Sequence, residues 1–200
     1  MDVLIASKNL DKIYEIREIL NFSNMNLCSL RDFPEVADVI EDGNTLLENA
    51  LKKASVYSQH TGLPTISDDT GLEVDALNGR PGVFSSRYAG EYATYDDNVR
   101  KLLDEMSDVS EDRREARFRC VAVFHHPDCT LSEEGTVEGV ILNHRHGSGG
   151  FGYDPLFYVP DLKKTFAEMS SEEKNEISHR GKAFRKLNIS IEKRFKTLIK

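Results

Sequence analysis

A short apolar run from Val3 to Ser7 gives way at once to a polar loop, Lys8 to Lys12, and then to Ile13, Ile16, Ile19 and Leu20. The run reads as a buried first strand, and the spacing of the later residues predicts an amphipathic helix. Strand, loop and helix in that order make an α/β unit, because the helix buries its apolar face by packing back on a sheet. The pattern returns. Thr45 and Glu48 have capping-box spacing before a helix whose stripe is Leu47, Ala50, Leu51, Ala54 and Tyr57. Gly62 ends that helix, and Pro64 enters a strand at Thr65-Ile66-Ser67.

Asp68-Asp69-Thr70-Gly71 comes next, then a loop rich in Gly and Pro from Asn78 to Gly90. A third helix is predicted from Thr94 to Met106, with Val99, Leu102, Leu103 and Met106 on one face. Ala116 to His125 alternates, with Phe118, Cys120, Ala122 and Phe124 on one side. Val121 and Val123 on the other side mark a strand buried on both faces at its far end. Pro127-Asp128 turns the chain into a partner strand carrying Thr136 to Ile141. A helix starts at Ser170, and a long last helix carries the stripe Phe184, Leu187, Ile191, Phe195 and Leu198. Early alternation followed by a hairpin predicts an α/β fold around a mixed sheet.

A length of 200 residues suits one domain, or two small lobes sharing a core. The net charge of −8 makes a poor general ligand for nucleic acid or an anionic membrane. No apolar run approaches the ~20 residues of a membrane span, and Met1 to Ala6 lacks the basic region of a signal peptide. Cys28, Cys120 and Cys129 are odd in number and scattered, as reduced cytoplasmic thiols are. Charge is uneven: residues 161–200 hold 11 Lys and Arg against 6 Asp and Glu, a net of +5 that leaves −13 for the rest. A basic end beside an acidic body fits an anion site next to a cation site. It also fits helices with basic wet faces.

Four segments look chemical. Ser7-Lys8-Asn9-Leu10-Asp11-Lys12 joins a first strand to a helix start, where backbone N–H groups favour phosphate; taken alone, the segment reads first as a cap by Asn9 or Asp11 with Lys12 solvated. It is not a P-loop, since the glycines and the Gly-Lys-Ser/Thr ending are absent. Glu41-Asp42-Gly43 and Asp68-Asp69 bring carboxylates together, which calls for a cation, and Mg²⁺ is the hard, oxygen-seeking candidate. Neighbours on an extended chain point opposite ways, so only one of Asp68 and Asp69 is expected to face the metal. Turn and cap roles also suit Asp-Asp-Thr-Gly. Gly147 to Pro155 sets four glycines around Phe151 and Tyr153, either for a base to stack on or as a tight turn with rings in the core. Lys174 to Lys182 clusters Lys174, His179, Arg180 and Lys182, as anion ligands or as a solvated helix start.

Together and in this order, these segments closely resemble the inosine triphosphate pyrophosphatase family, which acts on dITP and XTP as well. The resemblance runs from Ile5 to Leu187 on S-K-N-L-D-K, E-D-G-N-T, E-N-A-L-K-K-A, S-D-D-T-G-L, P-G-V-F-S-S-R-Y-A-G, G-S-G-G-F-G-Y-D-P and K-N-E-I-S-H-R-G-K-A. Two positions depart from it: Lys8 stands where the family usually has Gly, and Thr70 where Ser is usual.

The resemblance implies an elongated two-lobed α/β fold around a long mixed β-sheet, with helices on both sides and a central substrate cleft, all within one domain over residues 1–200. It implies Mg²⁺-dependent hydrolysis of ITP, dITP and XTP to the monophosphate and pyrophosphate by a cytoplasmic homodimer. By position, Asp69 is the metal-linked general base and Glu41 a metal ligand. Ser7, Lys8, Asn9, Leu10, Asp11, Lys12, Lys53 and Thr70 hold phosphates. Phe151, Gly152, Tyr153, Asp154, Lys174, His179 and Arg180 hold the nucleoside and phosphates. A donor such as Arg180 would select the six-position oxygen of the base. A pyrophosphatase for other modified or pyrimidine nucleotides, and a non-catalytic nucleotide sensor, are the competing readings.

Overall fold

The computed structural model describes residues 1–20 and 25–198, with side chains to residue 195 in the last helix. In chain order the elements are β1 (Asp2–Ile5), α1 (Leu10–Ile19), β2 (Asn26–Ser29), α2 (Leu46–Thr61), β3 (Thr65–Val74), β4 (Pro81–Gly82) and α3 (Tyr95–Glu105). There follow β5 (Glu115–His126), β6 (Cys129–Ile141), β7 (Phe157–Val159), β8 (Lys164–Thr165), α4 (Ser171–Ile177) and α5 (His179–Leu198). The strands form one sheet in the order β2-β1-β3-β5-β6-β7-β8, with β4 paired to β3. β1 runs parallel to β2 and β3, while β3–β4, β6–β7 and β7–β8 are antiparallel, so the sheet is mixed as expected.

Two compact units divide the chain. The first comprises Met1–Asp69, Cys120–Gly135 and the chain from His179 on. Here β1 alternates. Val3 and Ile5 pack with Ile13 and Ile16 of α1 and with Phe184, Leu187 and Ile191 of α5. Leu4 and Ala6 join Tyr57 of α2, Leu30 and Val36. Period-two side chains thus give this part of the sheet a helical layer on each face. Phe195 continues the α5 stripe, and the side chain of Leu198 lies outside the described residues.

The second unit comprises Thr70–Arg119 and Thr136–Ser178. Its core gathers Leu72 and Val74 of β3, Val99 and Leu102 of α3, and three packed rings, Phe118, Phe157 and Phe166. The centroids of Phe118 and Phe157 are 4.8 Å apart, and those of Phe157 and Phe166 are 5.0 Å apart. Thr94 and Asp97 cap α3 reciprocally, which explains where it starts.

Two local expectations change. Leu47 is 41% exposed, and Leu46 is buried in its place, because the helix register set by the Thr45 cap turns Leu46, Ala50, Ala54 and Tyr57 inward. Asp68 to Gly71 continues the strand predicted at Thr65-Ile66-Ser67, and the alternative of a turn is not taken. β3 continues through it because Ile66, Leu72 and Val74 are all buried on either side, and tertiary burial overrides weak strand propensity.

Gly135 of β6 lies directly against the start of α5. A Cβ there would stand 2.1 Å from the His179 carbonyl oxygen and 2.5 Å from the Ala183 nitrogen, both backbone atoms of α5. Gly135→Ala is expected to destabilise the protein by about 1–3 kcal/mol. Urea unfolding checks this, and an unchanged midpoint would contradict the packing.

Candidate active site

β3 places its side chains alternately, and the site follows from that. Ile66 and Asp68 face α1 and α5, whereas Ser67 and Asp69 face α2, where the Ser67 hydroxyl donates to the Ala50 carbonyl at 2.6 Å. Asp68 is 4% and Asp69 7% exposed. Two adjacent carboxylates are therefore buried on opposite faces of one strand.

On the first face, Asp68 accepts from Lys12 Nζ at 3.2 Å and from Arg180 Nη2 at 3.0 Å. Arg180 Nη1 also donates to Glu15 Oε2 at 2.6 Å. Burial opposes ionisation of Asp68, but Lys12 and Arg180 outweigh it and hold its carboxyl far below the usual range. Arg180 is likewise buried, yet Asp68 and Glu15 push its pKa further up.

On the second face, Lys53 of α2 stands between two carboxylates, 2.9 Å from Glu41 Oε2 and 3.4 Å from Asp69 Oδ1. Asn49, one helical turn earlier, donates to Asp69 Oδ2 at 3.2 Å and accepts the Gly43 N–H at 2.8 Å. Burial pushes the Asp69 pKa up, against the pull of Lys53. Burial also opposes ionisation of Glu41, but there Lys53 prevails and the pKa falls. Glu41 and Asp69 thus each turn an oxygen to the Lys53 ammonium. Among the described residues no group of three or more His, Cys, Asp or Glu surrounds a metal position. The pair fits Mg²⁺ all the same, since that ion is commonly held by one or two carboxylates plus phosphate oxygens.

In the loop before α1, local hydrogen bonds cap the helix. Asn9 Oδ1 accepts the N–H groups of Asp11 and Lys12, and Ser7 Oγ accepts the Asn9 N–H. Lys12 reaches Asp68, Lys8 pairs with Asp38 at 2.8 Å, and Leu10 and Asp11 are exposed. Thr70 follows Asp69 on β3 and is half-buried.

A second group lies in the second unit. Asp154 accepts from Lys174 Nζ at 2.5 Å and from the Phe151 N–H at 2.9 Å. Lys174 sits over the Phe151 ring, 4.7 Å from its centroid. Gly150 is required here, because a Cβ would lie 2.1 Å from Asp154 Oδ2 and the residue has φ +67°. The two aromatics part company: Tyr153 is buried and donates to the Ser85 carbonyl, whereas Phe151 is half-buried against Tyr95. Gly152 has φ 61° between them, and His179 opens α5 as a buried residue of the first unit.

Glu15 and Asn49 were not singled out from the sequence. Glu15 left a signal, a carboxylate between Ile13 and Ile16 on the buried face of α1. Asn49 is wholly buried one turn before Lys53, and a buried amide needs partners.

The depressed pKa of Asp68 has a definite sign. Its stabilisation is full above the ordinary value of 3.8 and is lost as pH falls below that toward the folded value. Asp68→Asn should flatten the loss of unfolding free energy below that pH. It should also cost about 3–5 kcal/mol at neutral pH by leaving buried cations uncompensated. Urea titrations at a series of pH values read both effects.

Comparison with known proteins identifies the family of the chain. The sequence profile of the Ham1 family matches residues 3–189. The chain is 49% identical over 187 residues to the dITP/XTP pyrophosphatase of Desulforamulus reducens, covering 93% of each. It is 47% identical over 193 residues to that of Vibrio cholerae, covering 95% of this chain and 96% of the relative. The solved Staphylococcus aureus Ham1 protein is 40% identical with a TM-score of 0.87, over 97% of this chain and 100% of that one. A HAM1 protein from Coxiella burnetii is 39% identical with the same TM-score, over 96% and 99%. With nearly every residue matched and the fold shared, the chain belongs to the Ham1 family.

Proposed function

We propose that the protein hydrolyses noncanonical purine nucleoside triphosphates, ITP, dITP and XTP, to the monophosphate and pyrophosphate, clearing them from the nucleotide pool. The reading is carried by one observation: Asp69, buried with a raised pKa, shares Lys53 with Glu41. Enzymes named for this activity are about half identical to the chain.

Glu41 and Asp69 would hold Mg²⁺, which when bound would supply charge neutralisation and polarise a phosphoryl oxygen. Asp69 takes the proton of the attacking water. Asn49 fixes the orientation of the Asp69 carboxylate. Water oxygen bonds to the α-phosphorus, the bond from that phosphorus to the bridging oxygen breaks, and pyrophosphate leaves. Lys12, Lys53, Thr70 and the Ser7–Asp11 loop position phosphate oxygens. Phe151, Gly152, Tyr153, Asp154, Lys174 and His179 are assigned to nucleoside binding, with Phe151 as a stacking face and Asp154 as an acceptor. Arg180 reads the six-position oxygen, its guanidinium held in one orientation by Glu15 and Asp68.

The protein acts in the cytoplasm as a homodimer and is one functional domain of two units. Three cysteines present as thiols fit a reducing compartment. The exposed rings of Phe84 and Tyr92 are surface that a second copy would cover. Among the described residues no helix is long and apolar enough to cross a membrane.

Incubation with Mg²⁺ and ITP, dITP, XTP, GTP or ATP, followed by chromatography, tests the reading. Monophosphate and pyrophosphate from the first three, with GTP and ATP nearly untouched, is expected; diphosphate and phosphate would overturn it. Asp69→Asn should lower kcat by at least about 100-fold while the thermal midpoint is retained. Arg180→Lys keeps a buried cation but loses the planar fork, so the preference for ITP over ATP should shrink. An unchanged preference would remove Arg180 from base selection.

A further inference from the structure

His144 and His146 flank Arg145 on the exposed segment that leads into the glycine-rich loop of the second unit. Their Nε2 atoms are 2.8 Å apart and their ring centroids 4.4 Å apart. Arg145, between them, pairs with Asp96. The backbone beneath the rings is fixed. The His146 N–H donates to the Pro155 carbonyl at 2.9 Å, and the His146 carbonyl accepts the Thr165 hydroxyl at 2.9 Å. On either side, Asn143 Nδ2 donates to Glu111 at 3.2 Å and the Gly149 N–H donates to the Ala167 carbonyl at 3.0 Å. Two imidazoles are thus presented to solvent on an anchored support.

Such a pair can hold a proton or an ion. With a proton, one Nε2 donates and the other accepts. If the donating ring carries its proton on Nδ1 instead, both Nε2 lone pairs become available with no net proton lost. An ion about 2.0–2.1 Å from each nitrogen needs them about 2.9 Å apart at a right angle, or about 3.4 Å apart in a tetrahedron. The observed separation reaches that range with a small rotation of either ring. Imidazole nitrogen suits Zn²⁺, Ni²⁺ and Cu²⁺ and is a poor ligand for Mg²⁺.

We propose that His144 and His146 form a two-histidine site for a borderline divalent transition ion, with solvent completing the coordination. No third His, Cys, Asp or Glu is grouped with them among the described residues, so the site is open and exchanges its ion instead of caging it. It shares no residue with the Glu41–Asp69 pair and selects a different class of ion.

The test uses the full chain without a polyhistidine tag, in saturating Mg²⁺ so that the carboxylate pair is occupied. Calorimetric titration with Ni²⁺ should give one ion per chain. Cu²⁺ added in place of Ni²⁺ should show coupling to two imidazole nitrogens in its electron paramagnetic resonance spectrum. His144→Ala and His146→Ala should each weaken Ni²⁺ binding at least about tenfold, since even outer-shell losses cost that much at metal sites. Both variants should keep ITP hydrolysis in Mg²⁺ and the thermal midpoint without added transition metal, and His126→Ala should bind Ni²⁺ as the parent does. Absence of Ni²⁺ binding, binding unchanged in His144→Ala, or coupling to a single nitrogen would each overturn the proposal.

Discussion

Burying an ionised carboxylate costs several kcal/mol unless a partner compensates, and β3 buries two in succession. Because consecutive residues of a strand point to opposite faces, one cation cannot serve both equally. Each face therefore recruits its own. Lys12 and Arg180 come from α1 and α5, and Lys53 comes from α2. These are the helices whose apolar stripes cover the two faces of β1. The packing of the first unit and the electrostatics of its site are one arrangement. A shift of any of these helices would expose apolar surface and strand a charge together.

The two aspartates end in different states. Asp68 is clamped between two cations, and its carboxyl is held far below the ordinary range. It serves as a fixed negative post that, with Glu15, sets the direction of Arg180. Asp69 shares the Lys53 ammonium with Glu41 and has its pKa raised by burial. A carboxylate that gains from a proton or a second cation is suited to receive one.

Much of this was legible in the chain because periodicity and turn chemistry are local. The Ile13–Ile16 stripe, the Thr45–Glu48 and Ser170–Glu173 caps, the Gly62 stop and the alternation from Ala116 to Phe124 all stand in the fold. The mixed sheet followed from them. Contacts between distant residues were not legible. Nothing local in Asp68-Asp69-Thr70-Gly71 distinguishes a turn from a strand; burial against α2 and α5 decides it. Leu47 points outward because the cap fixes the helix register, which composition alone does not reveal. Glu15 finds Arg180 across 165 residues, a pairing no spacing rule anticipates.

The second unit repeats the device at Asp154, whose carboxylate accepts from Lys174 and from the backbone N–H of Phe151. A buried ion pair contributes little net stability compared with apolar side chains of the same volume. Its gain is direction. Lys174 above the Phe151 ring fixes the height of that ring, and Gly150 lets the carboxylate come close enough to hold the turn. An apolar core at either site would pack as well but would leave donors and acceptors free to rotate. Positioning charged groups before a ligand arrives removes reorganisation from the reaction itself, and this is where an enzyme acting on phosphates gains most.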